Sequence, residues 1–330
     1  MSAPAISVLM AVYNGGDALS ASLESIATQT FTDWEMVVVD DASTDRTREV
    51  VESWGRKDPR IRLVTNAGNK GQTPCLNQGL RECRGDWVAR QDADDLSAPG
   101  RLAAQMDFVV RHPEVALLGT SGILIDERGC KAGLLDVPST AAGIAWTSMF
   151  LNPFLHTSVL FQRETSLETF GGYDESFRIA QDYDLWVRML NAAPTANLPE
   201  RLVSYRRSDA SLSRAGRELA MQEAGRVASR QFSHLIGRSP EAGERRLCDA
   251  FRSGLPGAAC PEFRSLWRRL ECEFSARHPA WADGPAAVAA SWHLRLAGSS
   301  GSALSAVSEM RDALVADPGF VLRWIRDRLG

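Results

Sequence analysis

Apolar runs bounded by turn residues alternate with helical periodicity over the first third of the chain. Residues 6–12 (ISVLMAV) are uninterrupted apolar, the pattern of a central parallel strand covered on both faces. The run ends in Tyr13-Asn14-Gly15-Gly16, a turn cluster, after which Leu19, Leu23, Ile26 and Ala27 recur on one helical face. Residues 36–39 repeat the strand pattern and stop at Asp40-Asp41; Ala42-Ser43-Thr44-Asp45 then offers oxygens to open a helix carrying Val50, Val51 and Trp54. A third strand is predicted at 61–64, a polar loop at 66–71, a helix at 73–81, and a turn at Gly85-Asp86 into a strand at 87–89. Strand and helix alternating to about residue 95 specify an α/β fold with a parallel, doubly wound sheet.

A helix from Pro99 to about Arg111 follows, with Ser97 as candidate cap and Pro99 suited to its first turn. Short strands are expected at 115–118 and 121–125, with Glu127-Arg128-Gly129 as a turn. Next come a Pro-broken loop, a strand at 157–161, a Gly171-Gly172-Tyr173 turn, a helix at 184–190 and a strand at 202–205. From about Gly216 the chain reads as helix after helix. Residues 262–277 set Phe263, Leu266, Trp267, Leu270 and Phe274 opposite Arg264, Arg268 and Arg269. The last helix pairs Phe320, Trp324 and Ile325 with Arg323, Arg326 and Arg328. The expected organisation is therefore an α/β domain over 1–215, in halves of about 1–112 and 113–215, and a helical C-terminal extension over 216–330.

Composition changes this picture little. At 330 residues with 44% hydrophobic and 24% charged content, the chain has the make-up of a globular protein. The net charge of −4 hides an asymmetry: residues 1–200 hold 17 basic and 27 acidic residues, net −10, and residues 201–330 hold 20 and 14, net +6. Six cysteines show no C-x-x-C pair and no zinc-ligand spacing, which suits reduced thiols. No stretch of eighteen uninterrupted apolar residues is present, and the N-terminus reads as a strand, so a cytoplasmic location is expected. Nothing points to nucleic acid. The basic tail allows a peripheral contact with an anionic membrane surface.

Chemistry concentrates at 87–101, WVARQDADDLSAPGR. An apolar strand runs into Asp92, Asp94 and Asp95, and a helix start follows. Like charges this close repel and cannot be buried unpaired. A divalent cation with oxygen ligands resolves that conflict, and Mg²⁺ or Mn²⁺ uses one or two carboxylates plus substrate phosphates. Asp40-Asp41 ends a second strand of the same sheet, and α/β sheets bind ligands at the carboxyl ends of their strands. Tyr13 there can stack on a base, and a carboxylate can accept from a base N–H. Taken singly, each has a plainer explanation: an acidic turn, a helix cap, a packing tyrosine.

Seven segments together are more specific: SVLMAVYN (7–14), VVVDDASTDRT (37–47), NKGQTPCLNQGL (69–80), VARQDADDLSAPGRL (88–102), NPFLHTSVLFQRE (152–164), GGYDE (171–175) and QDYDLWVRM (181–189). In their order and spacing over about residues 5–215 the chain resembles the family-2 glycosyltransferases. The resemblance implies the GT-A fold and inverting transfer of a sugar from a nucleotide-diphosphate sugar, with a UDP-sugar foremost, to a glycan or lipid-linked acceptor. By the same resemblance, Ala11, Tyr13, Asn14 and Asp41 belong to the nucleotide site, and Lys70 to a loop against the donor. Asp92 would lie near the ribose and Asp94 on the Mn²⁺ or Mg²⁺ that bridges the diphosphate. Asp182 is implied as catalytic base, and His156 and Gly172 lie in segments that shape the acceptor side. Cell-surface polysaccharide synthesis is the implied setting.

The chain departs from the family in having Ala11 where Pro is frequent, Gln181 where Glu often precedes the base, and no His after Tyr205-Arg206. A nicotinamide dehydrogenase would need G-x-G-x-x-G after the first strand, where this chain has YNGGDAL. The remaining alternative is a GT-A-like scaffold without turnover.

Overall fold

The computed structural model describes residues 3–207, 216–253 and 261–281. Two compact units form: one from the chain up to Val137 with Phe154–Ala220, the other from Pro138–Pro153 with the chain from Met221 onward.

The first unit is built on one sheet. Its opening strands are β1 (Ile6–Val12), β2 (Trp34–Asp40), β3 (Ile61–Thr65) and β4 (Trp87–Arg90), joined through helices α1 (Ala18–Ala27), α2 (Thr47–Lys57) and α3 (Gln72–Glu82). These strands lie side by side and parallel, in the order β3-β2-β1-β4. β1 and β2 are almost wholly buried, as continuous apolar runs require. Ile6, Val8, Met10, Met36 and Val38 meet Leu19, Leu23 and Ile26 of α1 on one face. Glu35 is the polar exception within β2, and its burial is fully compensated. It accepts from Ser7 Oγ, from the Arg84 N–H, and from the guanidinium groups of Arg84 (2.5 Å) and Arg62 (3.2 Å). Burial works against its charge, but the bonds from Arg84 and Ser7 outweigh it and hold the carboxyl below the usual range.

The second half of the sheet is mixed. After β5 (Leu96–Ser97) and α4 (Arg101–Arg111) come β6 (Leu117–Ile125), β7 (Lys131–Leu135), β8 (Leu160–Gln162), α6 (Gln181–Leu190) and β9 (Thr195–Arg206), with α5 (Ala141–Thr147) in the other unit. β8 sits antiparallel between β4 and β6, β6 pairs parallel with β9, and β5 and β7 add antiparallel edges.

Four local expectations change. The strands expected at 115–118 and 121–125 are one strand, β6, kept continuous by shifts of register against β9 at Thr120–Gly122. The strand expected from residue 157 begins with a 3-10 turn, His156–Ser158, closed by Ser158 bonding back to Leu155, and extends only from Leu160. Ser97 does not cap α4. It lies extended in β5 and spends its hydroxyl on Gln91 and Arg101, while the helix starts after Gly100. The helix expected from Asp184 starts at Gln181 with Ala180 as its N-cap, so Asp182 lies in the first turn and is not the cap.

In the helical unit, α5 packs with α7 (Arg217–Ile236), α8 (Ala242–Ser253) and α9 (Pro261–Arg277). Trp146 is central, with ring centroids 5.0 Å from Trp267, 5.1 Å from Phe274 and 5.5 Å from Phe150. The apolar stripe read at 262–277 thus covers Trp146 and Phe150; the helix carrying Phe320 and Trp324 lies outside the described residues. Among these residues no helix is long and apolar enough to cross a membrane.

Gly79 in α3 shows how tightly the parallel half is packed. A Cβ there would come within 2.3 Å of Leu9 and 2.9 Å of Val39. Gly79→Ala should therefore cost about 1–3 kcal/mol by overpacking, despite alanine's better helix propensity. Urea denaturation measures this, and an unchanged midpoint would show that α3 can lift off the sheet freely.

Candidate active site

The carboxyl ends of β2, β1 and β4 lie next to one another, so the loops that follow them share one edge of the sheet. The loops after β1 and β2 are laced together. Asn14 donates its N–H to Ser43 Oγ (2.9 Å) and accepts from the Thr44 N–H through Oδ1 (2.9 Å); Gly15 donates to Thr47 and Gly16 to Asp45. Both loops hold a non-glycine residue in the left-handed region, Asn14 at φ 52° and Ala42 at φ 61°. Such strain persists where surrounding bonds over-determine it, and it is concentrated at functional sites. Ala11 is half-buried in β1, opposite Val39. Tyr13, one residue past the end of β1, is 51% exposed, an aromatic ring left open to solvent.

Asp41 is placed differently from a residue reaching for a ligand. It is buried, and its two oxygens accept from the N–H groups of Lys70 and Gly71 and from Asn66 Nδ2 at 2.8–3.0 Å. Burial raises its pKa, but these bonds prevail and hold the carboxyl below the ordinary range. With its lone-pair positions so occupied, Asp41 fixes the 66–71 loop, and contact with a base would displace one of those donors. Lys70 is exposed on that loop, its ammonium 3.2 Å from Asn66 Oδ1.

The acidic loop after β4 stands on two fully buried arginines. Arg90 donates to the Leu9 and Gln91 carbonyls, to Asp92 Oδ1 (2.5 Å) and to His156 Nε2 (2.7 Å). Arg101 donates to the Arg90 and Val159 carbonyls and to Gln91, Ser97 and Gln105. Its burial, beside Arg90, pulls its pKa down to about 9. The loop backbone is tied from both sides: Asp92 N–H to Thr157 Oγ1, Ser22 and Gln91 to the Asp92 and Asp95 carbonyls. At the end of β9, Arg206 donates its N–H to Asp95 Oδ1 (2.7 Å) and its guanidinium to the carbonyls of Asp94, Asp126 and Glu127.

On the far side of Arg90, the His156 Nδ1 lies 3.3 Å from Asp182 Oδ2. Asp182 sits in the first turn of α6 and also accepts from the Tyr183 N–H. The His156 ring lies against Tyr173 and Trp186 at centroid distances of 6.2 and 6.1 Å. Gly172 stands at φ 82° in the turn before α6. Asn77 of α3 bonds the neighbouring Tyr173 through both its amide groups, and a Cβ on Gly172 would strike Asn77 at 2.6 Å. Asn77 thus aligns the 171–175 turn. Gln181, buried beside Asp182, donates to Gln72.

The expected residues thus fall into two groups. Asp92, His156 and Asp182 are joined through Arg90, with Asp94 alongside; Asn14, Asp41 and Lys70 organise the loops after β1, β2 and β3, with Tyr13 exposed beside them. Arg90, Arg101 and Thr157 carry the first group and were not singled out from the sequence.

The carboxylates fit a divalent cation. Burial, then the charge of Asp92, raises the Asp94 carboxyl above the ordinary range, and burial with Asp92 and Asp94 raises Asp95 further. Among the described residues no three His, Cys, Asp or Glu side chains converge on one cation position. A cation held by one or two of these carboxylates would complete its shell with phosphate oxygens and water.

With this geometry in view, the comparisons agree. The model of the family "Glycosyl transferase family 2" matches residues 7–136. The putative glycosyltransferase EpsE of Bacillus subtilis is 35% identical over 211 residues, 62% of this chain and 74% of that protein. The amylovoran biosynthesis glycosyltransferase AmsE of Erwinia amylovora is 34% identical over 204 residues, 61% and 75% of the two chains. Among solved structures, S. aureus TarS 1–349 with UDP-GlcNAc superposes with a TM-score of 0.58 at 17% identity, covering 97% of this chain and 91% of that one. The mannosyltransferase PcManGT from Pyrobaculum calidifontis, with GDP-Man and Mn²⁺, gives 0.54 at 19%, covering 94% and 88%. The fold is that of a GT-A glycosyltransferase. The chain belongs to glycosyl transferase family 2, and is a transferase.

The raised carboxyls fix a sign. A native pKa above the unfolded value means the native state binds protons more tightly, so stability falls as pH rises through and above the ordinary carboxylate range. Asp95→Asn, which keeps the acceptor for Arg206, should stabilise the cation-free protein by about 1 kcal/mol near neutral pH. Thermal unfolding should show that gain shrinking in mild acid; a variant less stable at every pH would show that the charge of Asp95 is compensated.

Proposed function

We propose that this chain transfers a sugar from a nucleoside-diphosphate sugar to a hydroxyl of a glycan or lipid-linked acceptor, with inversion, in the synthesis of cell-surface polysaccharide. The observation that carries this is the chain of contacts from Asp92 through Arg90 and His156 to Asp182. It sets a carboxylate cluster suited to a donor diphosphate and a separate carboxylate in one framework. The names of relatives support the setting: amylovoran biosynthesis for AmsE and O-antigen biosynthesis for WbnJ of Escherichia coli. The UDP-GlcNAc and GDP-Man in the titles of the superposed structures support the donor class.

In this reading Tyr13 stacks on the base, while Asn14 and Ala11 shape the floor beneath it. Asp41 acts by holding the loop that presents Lys70. Asp94 and Asp92 would hold Mn²⁺ or Mg²⁺, which supplies Lewis-acid stabilisation of the charge on the departing diphosphate. Asp182 takes the proton of the acceptor hydroxyl. As that proton leaves, the acceptor oxygen forms the new bond to the anomeric carbon, and the bond from that carbon to the diphosphate oxygen breaks. One base on the face opposite the leaving group gives a single displacement, hence inversion. His156 and Gly172 line the acceptor side. A separation of this chain at about residue 215 into a catalytic domain and a helical extension is part of the same reading, with the membrane face as the place where a lipid-linked acceptor is met.

Calorimetric titration of UDP, GDP, TDP and CDP with and without Mn²⁺ tests the donor site. One nucleotide should bind in a metal-dependent way, and Asp94→Ala should weaken it about tenfold or more. Asp182→Asn should leave that binding intact and lower turnover roughly a hundredfold or more. Binding of none of the four by folded protein would favour the scaffold without turnover, and near-normal turnover in Asp182→Asn would remove it as the base.

A further inference from the structure

The contact between Arg90 and His156 decides where the imidazole carries its proton. Arg90 Nε–H can only donate, and it meets His156 Nε2 at 2.7 Å. Nε2 is therefore the lone-pair nitrogen, which leaves the ring proton on Nδ1, a buried nitrogen that makes no hydrogen bond and lies 3.3 Å from Asp182 Oδ2, out of line for one. Arg90 has no freedom to do otherwise. It is fully buried, with its remaining donors on the Leu9 and Gln91 carbonyls and on Asp92 Oδ1 at 2.5 Å. The ring itself is seated beside Tyr173 and Trp186 and largely shielded from solvent.

We propose that Arg90 and His156 are positioning residues for the transfer reaction: Arg90 locks His156 as the Nδ1–H tautomer, and that N–H, which has no other hydrogen-bond partner, closes on the Asp182 carboxylate 3.3 Å away and orients it when the reactants are bound. The same guanidinium fixes Asp92, so the carboxylate on the donor side and the base on the acceptor side take their positions from one buried cation. This rests on the glycosyltransfer reading for its consequence, though not for its geometry. It goes further than lining the acceptor side: His156 acts through Asp182, and its two nitrogens have separate duties. A carboxylate drawn onto that N–H in the reactive complex would present one oxygen along a fixed line, and proton abstraction depends on that alignment before it depends on basicity.

Two substitutions separate the nitrogens. His156→Asn keeps an N–H donor near the Nδ1 position and drops the acceptor for Arg90. His156→Gln keeps an acceptor near Nε2 and drops the donor to Asp182. The structure calls for ¹⁵N-histidine NMR on the full chain, with His156 assigned by its loss in His156→Gln. Nδ1 should show the shift of a protonated nitrogen and Nε2 that of a lone-pair nitrogen, and Asp182→Asn should move the Nδ1 resonance. A proton on Nε2, or two averaged nitrogens, overturns the proposal whatever the reaction is.

Turnover is read as nucleoside diphosphate released from UDP-, GDP- and dTDP-hexoses. His156→Gln should lower kcat about tenfold or more with donor KM within about twofold, and His156→Asn should recover a large part of that loss. Equal losses in both variants, or a loss confined to KM, would reduce His156 to packing; a shared fall in thermal midpoint identifies misfolding, and the wild-type NMR spectrum then decides. Wild-type protein inactive on every hexose would count against the glycosyltransfer reading while leaving the tautomer measurement to stand or fall by itself.

Discussion

A single guanidinium with no exposure to solvent, that of Arg90, is the constraint on which the site is built. Taking such a cation out of water is costly unless each donor finds a partner, and truncating one side of a buried pair leaves the other uncompensated. Here the partners are two carbonyls at the sheet edge, one carboxylate and one imidazole. The guanidinium is planar, with donors in a rigid fork. Its four partners therefore inherit fixed directions, and lysine in its place would supply neither the plane nor the number. Arg101 beneath it adds a second buried cation, whose bond to the Arg90 carbonyl fixes where the strand ends. The negative charges of the loop are thus set against two buried cations.

How much of this is legible in the sequence follows from how each residue type presents itself there. The parallel half of the sheet is read well because β1 and β2 are buried on both faces and written as largely apolar runs, Ser7 and Glu35 being interior exceptions that bond each other. The mixed half is not. β7 (KAGLL) is an exposed edge, and β9 (TANLPERLVSYR) runs through Pro199, Glu200 and Arg201 by shifting register against β6. Asp92, Asp94 and Asp182 stand out as acidic residues beside turn signals. Arg90 and Arg101 do not, since a buried arginine and a surface arginine are written with the same letter. The bonds that Asp41 accepts from the Lys70 and Gly71 N–H groups are not legible, because a carboxylate that accepts backbone N–H groups looks, in sequence, like any other carboxylate at a strand end.

The loops after β1 and β2 answer a different need. Asn14 and Ala42 hold positive φ without being glycine, and the loops that carry them are braced by the N–H groups of Asn14, Gly15 and Gly16 donating to Ser43, Thr47 and Asp45 and by the Thr44 N–H donating to Asn14. Strain of this kind gives a rigid edge beside an exposed aromatic ring, an edge ordered in advance of any contact made to it. The acidic loop achieves rigidity by burying charge, and these loops by locking backbone.

Trp146 brings a consequence in time. It lies in a stretch, Pro138–Pro153, that belongs with helices encoded more than seventy residues later. During synthesis the sheet strands on either side of it emerge first, and Trp146, Met149 and Phe150 are covered by α7 to α9 only after those helices leave the ribosome. At about 5–20 residues per second, that is an interval of several seconds in which an aromatic cluster is uncovered on a nascent chain.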